Sequence, residues 1–92
     1  MNIYTKIELL KYVKQFIRKQ KPQVAITFLN QLIKSANNTK ELRMLNQMVE
    51  CLKNENSIYK ELVIDRINEI IENEKNYPYF ECMDNSSNLI LG

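Results

Sequence analysis

The sequence predicts an all-α fold: a small bundle of about four antiparallel helices with an aromatic, partly flexible C-terminal tail. Apolar residues recur at helical spacing in four segments, and proline or Asn-rich breaks separate these segments. No strand-like alternation of useful length precedes residue 76. Because the breaks are short, consecutive helices are expected to lie antiparallel, with a bent array of helical hairpins as the alternative.

The first two helices are separated by a proline. The first is expected from about Thr5 to Lys19, and its apolar residues fall on one side of the helix. Pro22 is tolerated only at a helix start, so the second helix is expected from Pro22 to about Ala36. Its apolar residues cover about 200° of the helix, which is typical of a centrally buried element. They are Val24, Ala25, Phe28, Leu29, Leu32, Ile33 and Ala36.

Asparagine marks the start of the last two helices. Asn38 is followed three residues later by Glu41, as in a capping box, so a third helix is expected from there to about Asn54. Its main apolar face is formed by Leu42, Leu45, Val49 and Leu52. Asn56 and Ser57 repeat the start signal for a fourth helix.

The fourth helix is expected to end near Lys75, because Pro78 should stop it. Residues 1–75 are therefore predicted to form the bundle domain and residues 76–92 a C-terminal tail. The aromatic cluster around Pro78 is expected to cap the open end of the bundle, with docking into a partner groove as the alternative. It consists of Tyr77, Tyr79 and Phe80. Mobility is expected after Asp84.

Length and composition are those of one small globular domain of 92 residues. No apolar run approaches the roughly 20 residues that a membrane span needs, and lysines interrupt the apolar residues near the start. Cys51 and Cys82 are therefore expected to be reduced thiols, and the expected location is the cytoplasm.

Two absences from the composition argue against catalysis. The chain has no His, which excludes Ser-His-Asp and Cys-His nucleophiles and His-based metal sites. Its single Gly is Gly92, so the sequence contains neither a phosphate-binding nor a dinucleotide-binding glycine loop. We therefore expect no enzyme, no cofactor and no metal. The abundance of Asn, Ile and Lys indicates an AT-rich coding sequence, as in a low-GC bacterium or its phages.

Charge divides the chain into unlike halves. Residues 1–54 carry ten Lys or Arg against three Glu, a balance of +7, whereas residues 55–92 carry three against eight Asp or Glu, a balance of −5. This polarity affects what each half attracts or repels.

A basic stripe is predicted on the first helix, within an arc of about 80°. It consists of Lys11, Lys14, Arg18 and Lys21. Such a stripe indicates contact with phosphates, and nucleic-acid binding is therefore the alternative function. An anionic membrane surface is a weaker alternative. The simpler interpretation is a solvated or internally paired helix face.

An acidic stripe is predicted on the fourth helix, pointing away from its apolar face. It consists of Glu61, Asp65, Glu69 and Glu72. Without His, these carboxylates do not match a di-metal helix bundle. Ile58 and Leu62 project near them, so this surface is expected either to face a partner or to pack against the tail.

Methionines add a second apolar edge to the third helix, where Met44 and Met48 accompany Cys51. Such an edge is usually core, although the flexible thioether also suits an adaptable binding surface. We expect a non-enzymatic protein–protein interaction module, such as a regulator, inhibitor or immunity-type protein, which acts by occupying a partner surface. A homodimer would use the same surface. The candidate partner-binding residues are Met44, Met48, Ile58, Leu62, Glu61, Asp65 and Glu69.

Overall fold

Residues 1–84 fold into four α-helices, which confirms the all-α prediction. A computed structural model describes the backbone of residues 1–84 and the side chains of residues 1–73. The helices are α1 (Ile3–Arg18), α2 (Pro22–Lys34), α3 (Thr39–Lys53) and α4 (Ser57–Asp84). Among the described residues, no helix is both long and apolar enough to cross a bilayer.

The helices pack around a ring. α1 lies against α2 and α4, and α3 lies against the same two helices. Their inward faces form one core to which all four contribute, because each is amphipathic over its packed length. Val13, Ala25, Leu29 and Ile67 are fully buried at its centre.

Local start signals act as the sequence predicts at three helices. The Asn38 Oδ1 accepts a hydrogen bond from the Glu41 N–H at 2.8 Å, and the Asn56 Oδ1 accepts one from the Ile58 N–H at 3.0 Å. Pro22 occupies the first turn of α2. α1 begins earlier than expected, because the Asn2 Oδ1 accepts from the Thr5 N–H at 2.9 Å and caps it.

The expected end of the fourth helix is wrong. α4 continues past Lys75 and through Pro78 to Asp84. Proline removes one backbone hydrogen bond, but a long helix retains its other bonds and absorbs this loss. The division at residue 75 and the packing of the aromatic cluster stay predictions, because the side chains of residues 74–92 lie outside the description. The expected mobility after Asp84 also falls outside the described residues.

α1 ends in a Schellman motif without glycine. The Lys21 N–H donates to the Phe16 carbonyl at 2.8 Å, and the Gln20 N–H donates to the Ile17 carbonyl at 3.0 Å. Gln20 has a φ of 61°, the left-handed conformation that glycine normally supplies. A side chain with a Cβ is therefore held in a conformation that it does not favour.

A buried ion pair joins the starts of α1 and α3. The Lys6 Nζ lies 2.7 Å from the Glu41 Oε2, and the two side chains are 10% and 20% exposed. The Glu41 Oε1 also accepts from the Asn37 N–H at 3.2 Å. One carboxylate thus neutralises a buried ammonium and orders the turn before α3.

The Schellman motif predicts that Gln20→Gly raises the free energy of unfolding by about 0.5–1 kcal/mol, since glycine adopts the left-handed conformation without a Cβ clash. Chemical denaturation measures the change. Gln20→Ala is the matched control and should give no gain, because alanine keeps the Cβ. An equal gain from both substitutions would contradict this explanation.

The buried ion pair predicts that Glu41→Gln lowers the free energy of unfolding by about 2 kcal/mol, because the Lys6 ammonium loses its charged partner. Adding Lys6→Met to the Glu41→Gln variant should raise its free energy of unfolding by about 1 kcal/mol, since the unpaired buried ammonium is then removed. A double-mutant cycle by denaturation measures this coupling. The exposed pair of Lys11 and Glu8 is the control and should show coupling below about 0.5 kcal/mol. Additive effects at Lys6 and Glu41 would refute the coupling.

Candidate functional site

A groove of about 340 Å³ runs between α3 and α4. Its apolar lining comes from both helices and consists of Met44, Met48, Cys51, Leu62 and Val63. Its polar lining consists of Lys40, Arg43, Gln47 and Arg66. The groove therefore combines an apolar floor with cationic side chains at its margin.

Ile58 and Leu62 stand exposed beside this groove on α4. Their exposed fractions are 58% and 53%, although both are large aliphatic residues. Leu62 lies about 155° around the helix from the centre of the buried face of α4, so the core has no access to it. The buried face is formed by Val63, Ile64, Ile67 and Ile71. The sequence analysis left open whether Ile58 and Leu62 face a partner or pack against the tail, and this choice stays a prediction, because the side chains of the tail lie outside the described residues.

The two methionines of α3 occupy different depths. Met48 is 3% exposed and belongs to the core, where it also forms part of the groove floor. Met44 and Cys51 are half-buried and pack against the core from the groove side. The adaptable side chain available at the surface is therefore Met44.

Cations mark the α3 side of the groove. Neither Lys40 nor Arg43 takes part in the ion pairs formed by side chains within residues 1–73. Arg66 differs, because its Nη1 lies 2.6 Å from the Glu69 Oε1 on the same helix. Lys40 and Arg43 were not predicted as site residues, although their three-residue spacing places them on neighbouring parts of one helix surface. We call these two residues the basic edge.

The acidic stripe lies on the outward side of α4. Glu61, Asp65, Glu69 and Glu72 are all exposed. Asp65 and Glu69 lie about 60° and about 20° around the helix from Leu62, on the side away from α3. Leu62 is thus flanked by the groove on one side and by carboxylates on the other.

The basic stripe of α1 is partly engaged within the molecule. The Lys14 Nζ donates to the Asn68 Oδ1 on α4 at 2.6 Å, and Lys14 is half-buried. The Lys11 Nζ lies 3.4 Å from the Glu8 Oε2. Arg18 and Lys21 are exposed. Because Asn68 lies between acidic residues of α4, the α1 stripe borders the acidic stripe, and the two charges offset each other locally.

An aromatic stack joins the outer sides of α1 and α2. The ring of Phe28 stacks on both Tyr12 and Phe16, with centroid distances of 5.5 and 5.7 Å. The Lys19 Nζ lies 5.6 Å from the centroid of Phe16. The contact made by Tyr12 was not predicted from the sequence. The signal was its four-residue spacing from Phe16, which aligns the two rings on one helix face.

Comparisons with protein-family models, with curated proteins and with solved structures find no match to this chain.

The exposure of Leu62 predicts that Leu62→Ala changes the free energy of unfolding by less than about 0.5 kcal/mol, because solvent already contacts the side chain. Ile67→Ala on the same helix should cost about 2–5 kcal/mol, since Ile67 is fully buried and its truncation leaves a cavity. Thermal and urea unfolding of the dilute protein compare the two variants. If Leu62→Ala lowers the free energy of unfolding by more than about 1 kcal/mol, Leu62 stabilises the fold itself and the prediction is wrong.

Proposed function

We propose that this chain is a non-enzymatic protein–protein interaction module that binds a protein through the α3–α4 face. This face comprises the groove, the exposed Ile58 and Leu62, the basic edge and the neighbouring carboxylates Asp65 and Glu69. The chain acts by occupying the surface of its partner, as a cytoplasmic regulator, inhibitor or immunity-type protein of a low-GC bacterium, phage or mobile element does.

The observation that carries the proposal is the exposure of Leu62 and Ile58 at the margin of an apolar groove. Burying one such side chain against a partner contributes about 1.5–3 kcal/mol. Anchors of this kind, set beside a pocket and ringed by polar groups, carry most of the energy of protein interfaces. A single exposed aliphatic residue needs no explanation, but Ile58 and Leu62 lie one turn apart on α4 beside a groove and form a patch.

The surrounding charges supply orientation. Lys40 and Arg43 have no ion-pair partner among residues 1–73, so they are available to a partner carboxylate. Asp65 and Glu69 are exposed on the other side of Leu62. Charges at the rim of an interface speed association and reject wrongly oriented partners, while the apolar centre supplies affinity.

Nucleic-acid binding by the α1 stripe remains the second candidate. The exposure of Arg18 and Lys21 favours it, because free cations are what phosphates contact. Lys14 and Lys11 support it less, since the first is bonded to Asn68 and the second lies beside Glu8. The adjacent acidic stripe also lowers the positive potential that would attract a polyanion.

The α3–α4 proposal predicts that a photo-activated benzophenone side chain at position 62 forms covalent adducts with protein. The same group at the exposed position 31 of α2 is the matched control and should form few. Irradiation in a low-GC bacterial host, followed by purification and mass spectrometry, identifies each adduct. A protein adduct specific to position 62 supports the proposal. Equal yields at both positions, or adducts with nucleic acid alone, would refute it.

A further inference from the structure

The α3–α4 face carries opposite charges on its two sides. The basic edge, Lys40 and Arg43, lies on the α3 side of the groove. Leu62 lines the groove from α4, and Asp65 and Glu69 lie further round that helix. Across the face, the order is therefore cationic, apolar and anionic.

The two charged sides lie at the same level along the bundle. Lys40 and Arg43 line the groove together with Arg66 of α4. Arg66 directly follows Asp65 in the chain and pairs with Glu69 one turn later. The short connection of residues 54–56 turns α4 back along α3, so Arg43, which lies about ten residues before the end of α3, is level with the residues about ten positions into α4, beside Asp65 and Glu69.

We propose that the occupant of the α3–α4 face is a second copy of this chain, related by a two-fold axis parallel to the helices. Such an axis places the α3 side of one face opposite the α4 side of the other, and it keeps each residue at the same height along the bundle. The basic edge of each copy then faces Asp65 of the other copy, and also Glu69, which stands beside its intrahelical partner Arg66. Opposite charges therefore meet at both contacts. This inference rests on the proposed function and specifies the partner.

A second copy fits the charge pattern better than a partner of one sign does. An acidic partner helix would satisfy Lys40 and Arg43 but would face the carboxylates of α4 with like charge, and a basic partner would do the reverse. A copy of the same face satisfies both sides in one arrangement. The formal net charge of the chain is only +2, so two copies repel each other weakly at long range.

The axis also places apolar residues against their own counterparts. Residues between the two charged sides lie near the axis and therefore pack close to their own counterparts. Leu62 is one of these residues and is 53% exposed. Burial of Leu62 against Leu62 of the second copy, with Ile58 and Met44 nearby, forms the apolar centre that the charged sides align.

Charge exchange tests this geometry. Lys40→Glu/Arg43→Glu makes both sides of the face acidic, and Asp65→Lys/Glu69→Lys makes both sides basic. Each variant alone should raise the Kd of the homodimer about tenfold or more, because like charges then meet at both contacts. A mixture of the two variants should form a heterodimer near wild-type affinity, since each edge again meets its opposite. Sedimentation velocity and native mass spectrometry measure these states.

The matched control is Lys11→Glu/Arg18→Glu, which reverses two cations on α1, outside the face. It should leave the Kd of the homodimer within about twofold of wild type, because those side chains lie outside the interface. The inference is overturned by a wild-type chain that stays monomeric near about 1 mM. It is also overturned if both charge-reversed variants keep the homodimer Kd of the wild type. Failure of the two variants to form a heterodimer when mixed overturns it as well.

A disulfide measurement covers the case in which a charge-reversed variant fails to fold. In a Cys51→Ser/Cys82→Ser background, Leu62→Cys should oxidise to a symmetric interchain disulfide. Val24→Cys, at an exposed site on α2, should remain mostly reduced. Equal oxidation at both sites overturns the inference.

The crosslinking experiment separates this inference from the proposed function. If position 62 forms adducts only with a different protein, the proposed function stands and the second copy is refuted. If position 62 forms no specific adduct, both are refuted.

Discussion

Every helix of this chain depends on one shared apolar core. α1, α2 and α3 are 16, 13 and 15 residues long, which is at or near the length below which an isolated helix is marginal in water. Each is therefore stabilised mainly by burying its apolar side against the others. The centre of the core takes Val13 from α1, Leu29 from α2 and Ile67 from α4, with Leu45 and Leu52 from α3 almost as deeply buried. The ring of contacts closes only when α4 returns to α1.

The same constraint produces the candidate site. α3 and α4 turn their most apolar sides to the core, and the sides that remain meet solvent at the groove. Leu62 and Ile58 lie too far around α4 to reach the core, so their exposure follows from the packing of their neighbours. At the start of α3, the pair between Lys6 and Glu41 ties that helix to α1. The groove is therefore built on a helix that is anchored by the core and by a buried ion pair.

Much of the fold was predictable because its signals are local. Asn38 with Glu41, Asn56, and Pro22 each mark a helix start through groups within four residues, so the sequence alone reveals them. Prediction failed at the end of α4, because a long helix retains its other backbone hydrogen bonds and continues through Pro78. It also failed where burial depends on how far the neighbouring helices extend. Leu42 and Val24 belong to predicted apolar faces, yet they are 37% and 36% exposed, because the neighbouring helices cover only part of each apolar arc.

The sequence by itself determined the helix class, most helix starts and the outward position of the acidic stripe, because these depend on spacing along one helix. Only the tertiary structure decided which stripes meet. It bonded Lys14 to Asn68, buried Lys6 against Glu41, and set Lys40 and Arg43 beside the α3–α4 groove. The physical reason is that such contacts depend on the relative rotation and level of two packed helices. Those quantities are set by how all four apolar faces fit together, which no single helix encodes.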